Sequence, residues 1–384
     1  MIFRQLSHKL KKLARYFQVL ALSGPRQSGK TTLLKHIFNN LPYVNLENPD
    51  NHRLANNDPV AFLDLYPKGA FLDEVQRSPL LFSYMQERID ADNKLRFVVS
   101  GSQHFNLQSK ISQSLAGRIG HLTLLPLSAS ELKKIPSSPE ELIFRGSYPA
   151  IYGKKTPADF FYASYIQTYI ERDVRGILNV VDLSQFQLFL KLCASRSGQL
   201  LHLSSLASDC GISVNSAKKW ISVLEASFLI KLVRPYHKNF NKRIIKSPKM
   251  YFLDTGLLCF LLEIKHPSQL SGHYARGAIF ETFVFTELLK YNYNHVMNAD
   301  IYFYRESHGS EIDFLIPSGN DFIAVEVKSS KTLNLDFFST MKNLKEKLFG
   351  NRLLKGYVIY AGDKHFKSGI WEFLSWRELD KVWR

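Results

Sequence analysis

Three short apolar runs in the first hundred residues each end in small polar or acidic residues. Residues 17–23 read as a buried strand, and Leu33, Leu34, Ile37 and Phe38 give the following segment helical spacing. Residues 70–72 form a second strand, closed by Asp73 and Glu74. Residues 95–99 form a third, closed by Ser100-Gly101-Ser102. Strand, loop and helix in that order predict an α/β core with a parallel sheet. Further on, residues 183–197 and 203–210 read as helices and Gly211-Ile212-Ser213 as a turn. Ala217, Trp220, Ile221 and Leu224 form the apolar face of a third helix, capped by Ser213. A glycine turn between short helices is a helix-turn-helix arrangement. Strands over 228–233 and 244–252 would supply the wing of a winged helix. The remaining pattern predicts a helix over 274–291, strands over 301–305, 311–316 and 322–328, a helix over 335–348 and a strand over 357–360, which is an α+β domain.

The chain has 384 residues, 45% hydrophobic and 22% charged, which argues for folded domains rather than long disordered stretches. Pro/Ser punctuation at Ile135-Pro136-Ser137-Ser138-Pro139, the start of the helix at residue 183 and a change of charge balance near Ser247-Pro248 divide it into four parts. These are a nucleotide-type domain over 1–135, a helical linker or lid over 136–182, a winged helix over 183–250 and a C-terminal domain over 251–384. The net charge of +16 is uneven: 19 basic against 12 acidic residues in 1–150, 15 against 6 in 151–250, and 16 against 16 in 251–384. Such a surplus favours polyanionic partners. Its densest stretch holds Lys231, Arg234, Lys238, Lys242, Arg243, Lys246 and Lys249 without an acid. Lys218, Lys219, Lys242 and Arg243 are the candidate phosphate contacts. No base-reading set accompanies them, so the expected partner is DNA, with RNA as the other polyanion, bound with weak sequence preference. Cys193, Cys210 and Cys259 form no close pair, which excludes a disulfide scaffold and a cysteine-rich zinc site and predicts a reducing, cytoplasmic setting. No signal peptide is expected, and residues 257–262, the greasiest run, are too short to span a membrane.

Gly24-Pro25-Arg26-Gln27-Ser28-Gly29-Lys30-Thr31-Thr32 fits GxxxxGK[ST] between its required strand and helix. The glycines let the loop wrap a phosphate, and the helix N-terminus adds partial positive charge. Lys30 would reach the outer phosphates of ATP, and the Thr31 hydroxyl would hold Mg²⁺. Asp73 would hold the same ion through water, and Glu74 would polarise the attacking water as general base. Ser100 or Ser102 would sense the γ-phosphate from the end of the third strand. Arg118, between Gly117 and Gly120 in a basic loop, is a candidate arginine finger.

In the C-terminal part, period-two geometry puts Glu326 and Lys328 on one strand face, with Asp313 on the neighbouring hairpin strand. Two carboxylates and a lysine can hold Mg²⁺ and activate water against a phosphodiester, and Glu281 is a further candidate ligand. The spacing alone is weak, because acid-x-Lys occurs four times in the chain. A half-exposed strand with alternating charges reads equally well.

Gly-Pro-Arg-Gln-x-Gly-Lys-Thr-Thr, Phe-Leu-Asp-Glu-Val-Gln, Ser-Gly-Ser and Leu-Ala-Gly-Arg with Leu125-Pro126-Leu127-Ser128 resemble the AAA+ (STAND-like) bacterial and archaeal ATP-binding proteins. Their C-terminal domain was long labelled as of unknown function. Gly146-Ser147-Tyr148-Pro149 and residues 169–174 are similar to further segments of that group. The resemblance implies a P-loop NTPase parallel sheet that uses ATP and Mg²⁺, with Arg118 acting on a second copy of the chain. Gly-Ser-Glu-Ile-Asp-Phe and Val-Glu-Val-Lys-Ser-Ser resemble the restriction-endonuclease-like PD-(D/E)xK motif, with Ile312 at the proline position. It implies core roles for Asp313, Glu326 and Lys328. Two expectations remain open: an ATPase that controls a nucleic-acid-binding, DNA-cleaving region, and a nucleotide switch or DNA-binding regulator whose nuclease-like domain only docks.

Overall fold

The computed structural model describes residues 2–102, 115, 117–170, 183–236, 247–306, 311–344 and 352–384. The first sheet holds Val19–Ser23 (β1), Tyr43–Asn45 (β2), Phe71–Asp73 (β3), Phe97–Gly101 (β4) and Ile119–Thr123 (β5). It is wholly parallel, in the order β2-β3-β4-β1-β5. β1 and β4 are buried at every position because both sheet faces are covered. Leu22 and Val98 pack with Leu6, Leu10, Leu33 and Leu34 on one face. Ala21 and Val99 pack with Leu72, Phe82 and Met85 on the other.

The middle segment has the three expected helices, Leu183–Ser195, Leu203–Cys210 and Val214–Ala226. Gly211, at φ +66°, ends the second, and Ser213 Oγ accepts the Ser216 N–H at 3.0 Å to start the third. Trp220 stands edge-on to Phe186 and Phe189, with ring centroids 5.3 and 5.0 Å away. Gln199–Leu200 (β6), Ile230–Val233 (β7) and Lys249–Phe252 (β8) form an antiparallel sheet in the order β6-β8-β7. Of the strand expected over 244–252, β8 takes the last four residues; residues 237–246 lie outside the described ones. The boundary expected after residue 250 falls inside β8, which pairs on both sides with middle-segment strands.

The long helix Arg276–His295 leads into Tyr302–Arg305 (β9), Glu311–Ser318 (β10), Asp321–Lys328 (β11), Leu353–Tyr360 (β12), Phe366–Ser368 (β13) and Trp371–Ser375 (β14). The sheet order is β13-β14-β12-β11-β10-β9, mixed in direction. β13 and β14 were not foreseen. Of the helix expected over 335–348, the described residues form a 3₁₀ turn, Leu335–Phe338, and a short helix, Ser339–Leu344; residues 345–348 lie outside the described ones. One apolar cluster runs from Leu125 to Val382 and takes side chains from residues 142–166, the middle segment and the C-terminal sheet. Among the described residues no helix is long and apolar enough to cross a membrane. The three cysteines are unpaired and buried.

Candidate functional site

Parallel strands place their C-terminal ends along one edge, and β1, β3 and β4 bring the loop, the acids and the serines together there. Gly24 must lack a side chain: a Cβ would stand 2.1 Å from the Leu124 carbonyl oxygen. Gly29, at φ +94°, turns the loop into the helix Lys30–Ile37. Gln27 is also left-handed, at φ +60°. The Lys30 ammonium donates to the carbonyls of Gly24 (2.9 Å) and Pro25 (2.8 Å). Burial lowers its pKa to about 8, against the opposing pull of Glu74 and Asp73. Arg26 lies 3.8 Å from Glu47, and Thr32 is exposed on the helix beyond Thr31.

Thr31 Oγ1 donates to Asp73 Oδ2 at 2.7 Å, Tyr43 OH donates to the same oxygen at 3.1 Å, and Ser100 donates to Oδ1. The residues fit a nucleotide with a divalent ion. Ser28 Oγ is buried without a hydrogen-bond partner among the described residues, and the lysine is held by carbonyls that a phosphate can replace. Thr31 and Asp73 would hold Mg²⁺, which when bound neutralises charge on the phosphate oxygens.

Glu74 sits beyond β3 with left-handed backbone, φ +56°, a conformation that costs about 1–3 kcal/mol in a non-glycine residue. Its carboxylate accepts from Ser102 Oγ at 3.2 Å and from Gln76 Nε2. Ser102 thus holds the acid, and Ser100 holds Asp73. Glu74→Gln is expected to leave ATP affinity within about twofold and to lower turnover by about 10²–10⁴. Equilibrium binding and single-turnover hydrolysis separate the two effects, and unchanged turnover would remove Glu74 from the base role.

Arg118 lies at the N-terminal end of β5, its carbonyl accepting the Val19 N–H at 3.4 Å. The phosphate loop starts at the opposite end of the sheet, a five-residue strand or roughly 16 Å away. Arg118 pairs with Asp90 at 2.5 Å. It has no reach to its own chain's loop.

Sequence reasoning missed Arg4. It is buried and donates to the carbonyls of Ser28 (2.7 Å) and Leu125 (2.6 Å) and to Glu131 (3.2 Å). Glu131 accepts from the backbone N–H groups of Gln5 and Ser128. In the same turn, the Ala129 N–H donates to Glu287 of the long helix at 2.8 Å. The phosphate loop is thereby tied through polar contacts to the helix that enters the C-terminal sheet. Nothing in the spacing distinguishes Arg4 from a surface arginine.

In the C-terminal sheet, the register Phe314↔Val325 brings Asp313 beside β11, where it accepts the Val327 N–H at 2.8 Å. Lys328 Nζ donates to Glu326 at 2.6 Å. Burial, then Glu281 and Glu326, push Asp313 well above the usual carboxylate range, and burial also raises Glu326. Lys249, counted in the basic run, points inward: its ammonium lies 2.9 Å from Glu281, 2.5 Å from Glu311 and 3.9 Å from Asp313. Burial alone would lower its pKa, but the three acids together raise it. Lys218 and Lys219 are exposed on Val214–Ala226; Lys242 and Arg243 lie outside the described residues.

Residues 16–133 match the family model of an AAA domain. Residues 137–268 and 276–379 match two domains of unknown function, DUF8612 and DUF4143. An uncharacterized protein of Mycobacterium tuberculosis and another of Mycobacterium bovis are each 28% identical over 370 residues, 94% of this chain and 81% of the relative. A Walker-type ATPase of Pyrococcus abyssi is similar at a TM-score of 0.48 and 14% identity, over 68% of this chain and 96% of its own. A STAND protein with a tetratricopeptide-repeat sensor from Pyrococcus horikoshii gives 0.27 and 13%, over 78% and 48%. The AAA match and the loop with its two acids make the N-terminal part of this chain an AAA-like, nucleotide-binding ATPase domain, followed by a C-terminal sheet region similar to DUF4143.

Proposed function

We propose that this protein is an Mg²⁺-dependent ATPase whose nucleotide state controls how its middle and C-terminal parts engage nucleic acid. The observation behind the reading is the polar path from the Ser28 carbonyl through Arg4 and Glu131 to Glu287. A phosphate that re-forms the loop changes the group Arg4 holds, and buried charged pairs respond strongly to lost partners. Lys218 and Lys219 would contact phosphates, and Asp313, Glu326 and Lys328 would carry phosphodiester cleavage in a nucleotide state that withdraws Lys249 from the acids. Arg118 would complete the ATP site of a second copy.

The test measures DNA affinity against salt with ADP and with a non-hydrolysable ATP analogue. A difference of about tenfold or more between the two states is expected, reduced in Arg4→Gln. Lys218→Ala with Lys219→Ala should flatten the salt slope by about 1.8. Equal affinity in both nucleotide states would remove the control. A second reading, a nucleotide switch with a docking domain that does not cut, is favoured by one contact: the carboxylates near Asp313 already face the Lys249 ammonium.

A further inference from the structure

Glu281 of the long helix and Glu311 and Asp313 of β10 gather beside one buried ammonium that belongs to neither element, and Glu326 of β11 lies next to Asp313. Lys249 enters from β8 of the middle segment and is 4% exposed. Its Nζ contacts Glu281 at 2.9 Å and Glu311 at 2.5 Å, with Asp313 at 3.9 Å. Tyr251, two residues along β8, donates to the same Glu281 oxygen at 2.5 Å. Lys328 takes one oxygen of Glu326; the other, Oε2, is buried without a hydrogen-bond partner among the described residues, on a side chain 7% exposed. Arg305 stands at the rim, 3.7 Å from Glu311. Among the described residues no three His, Cys, Asp or Glu side chains converge closely enough to hold a metal ion. The acids are spaced for an N–H donor rather than for the ~2.0–2.6 Å of a Mg²⁺ or Ca²⁺ bond.

We propose that Lys249 is a resident cation. Its ammonium holds the place a divalent ion would take among these carboxylates and closes the cluster to metal while β8 stays packed there. Four acids this close, Glu326 buried and the other three partly buried, repel one another unless cations offset them. Removing Lys249 leaves Lys328 as the one ammonium against them among the described residues, and a space that a hard divalent cation fills with oxygen ligands. The inference concerns cation binding alone and stands whether or not this region touches nucleic acid.

Mn²⁺ without nucleotide is the probe, titrated against the full chain and followed by electron paramagnetic resonance of free Mn²⁺. Wild type and Asp313→Asn should behave alike, because no Mn²⁺ reaches Asp313. Lys249→Met should gain one ion, bound at least about tenfold tighter than any ion in wild type, and lose it again when Asp313→Asn is added. Lys249→Gln, of similar length and able to donate to the acids without a charge, covers the case in which the methionine variant does not fold. Mn²⁺ uptake by wild type that disappears in Asp313→Asn would overturn the proposal. So would a folded Lys249→Met or Lys249→Gln that takes up no ion. If neither variant folds, the wild-type comparison decides by itself.

Discussion

Lys30→Ala is expected to lower kcat/KM for ATP hydrolysis by about a thousandfold or more. The lysine is buried, and among the described residues its ammonium donates to the Gly24 and Pro25 carbonyls. Placed on transferring phosphates in a site that excludes water, such a charge stabilises the transition state more than the ground state. Alanine removes it and leaves the loop shape, which Gly24 and Gly29 determine. Steady-state phosphate release with ATP checks the loss, and a fall of less than about tenfold would argue against this lysine as the phosphate ligand. The wild type should also show a pH limit. With the free-protein pKa lowered to about 8, Lys30 is charged below that pH and neutral above it. ATP prefers the charged form, so its affinity should be level below about pH 8 and then fall by up to about tenfold per pH unit. Titrations of ATP binding from pH 7 to 9.5 (about the range in which the lysine discharges) test the sign.

Asp254→Ala is expected to cost about 3–5 kcal/mol of stability. Asp254 is 3% exposed and accepts four hydrogen bonds. They come from the Ser147 N–H (2.8 Å) and hydroxyl (2.7 Å), the Tyr162 hydroxyl (2.7 Å) and the Leu257 N–H (2.8 Å). One carboxylate thus caps the helix Thr255–Leu261 and ties it to Ser147 and Tyr162. Space around it is closed: a Cβ on Gly146 would meet Tyr162 OH at 2.0 Å and Asp254 Oδ1 at 2.6 Å. Alanine strands the Ser147 N–H and hydroxyl and the Leu257 N–H where water has little room, and leaves the Tyr162 hydroxyl only the Arg145 carbonyl at 3.1 Å among the described residues. Urea unfolding followed by intrinsic fluorescence should move to a clearly lower midpoint. Asp254→Asn, which keeps one acceptor oxygen, should fall between alanine and wild type. An unchanged midpoint for Asp254→Ala would mean that these donors find other partners.

Local chemistry made much of the nucleotide site legible. Gly24, Gly29, Lys30 and Thr31 are adjacent in the chain, and their loop needs only its flanking strand and helix. Asp73, Glu74, Ser100 and Ser102 could be named because each follows an apolar run, and parallel strands present such ends at one edge. The division of labour, Ser100 to Asp73 and Ser102 to Glu74, came only with the sheet order. Arg118 was legible as an arginine near the site in sequence; strand direction put it at the far end of β5.

The sequence alone determined the phosphate loop, the helix periodicity of the middle segment and the Asp313, Glu326 and Lys328 hairpin, because each depends on contacts a few residues apart or on one tight turn. Tertiary structure decided the rest. Arg4 meets Ser28 and Glu131, Asp254 meets Ser147, and Lys249 meets Glu281 and Glu311, across separations that spacing does not encode. A charge in a sequence carries no label for inside or outside. Lys249 counted toward the basic surplus until the packing of β8 against the long helix and β10 turned it inward, where three acids make a buried ammonium stable.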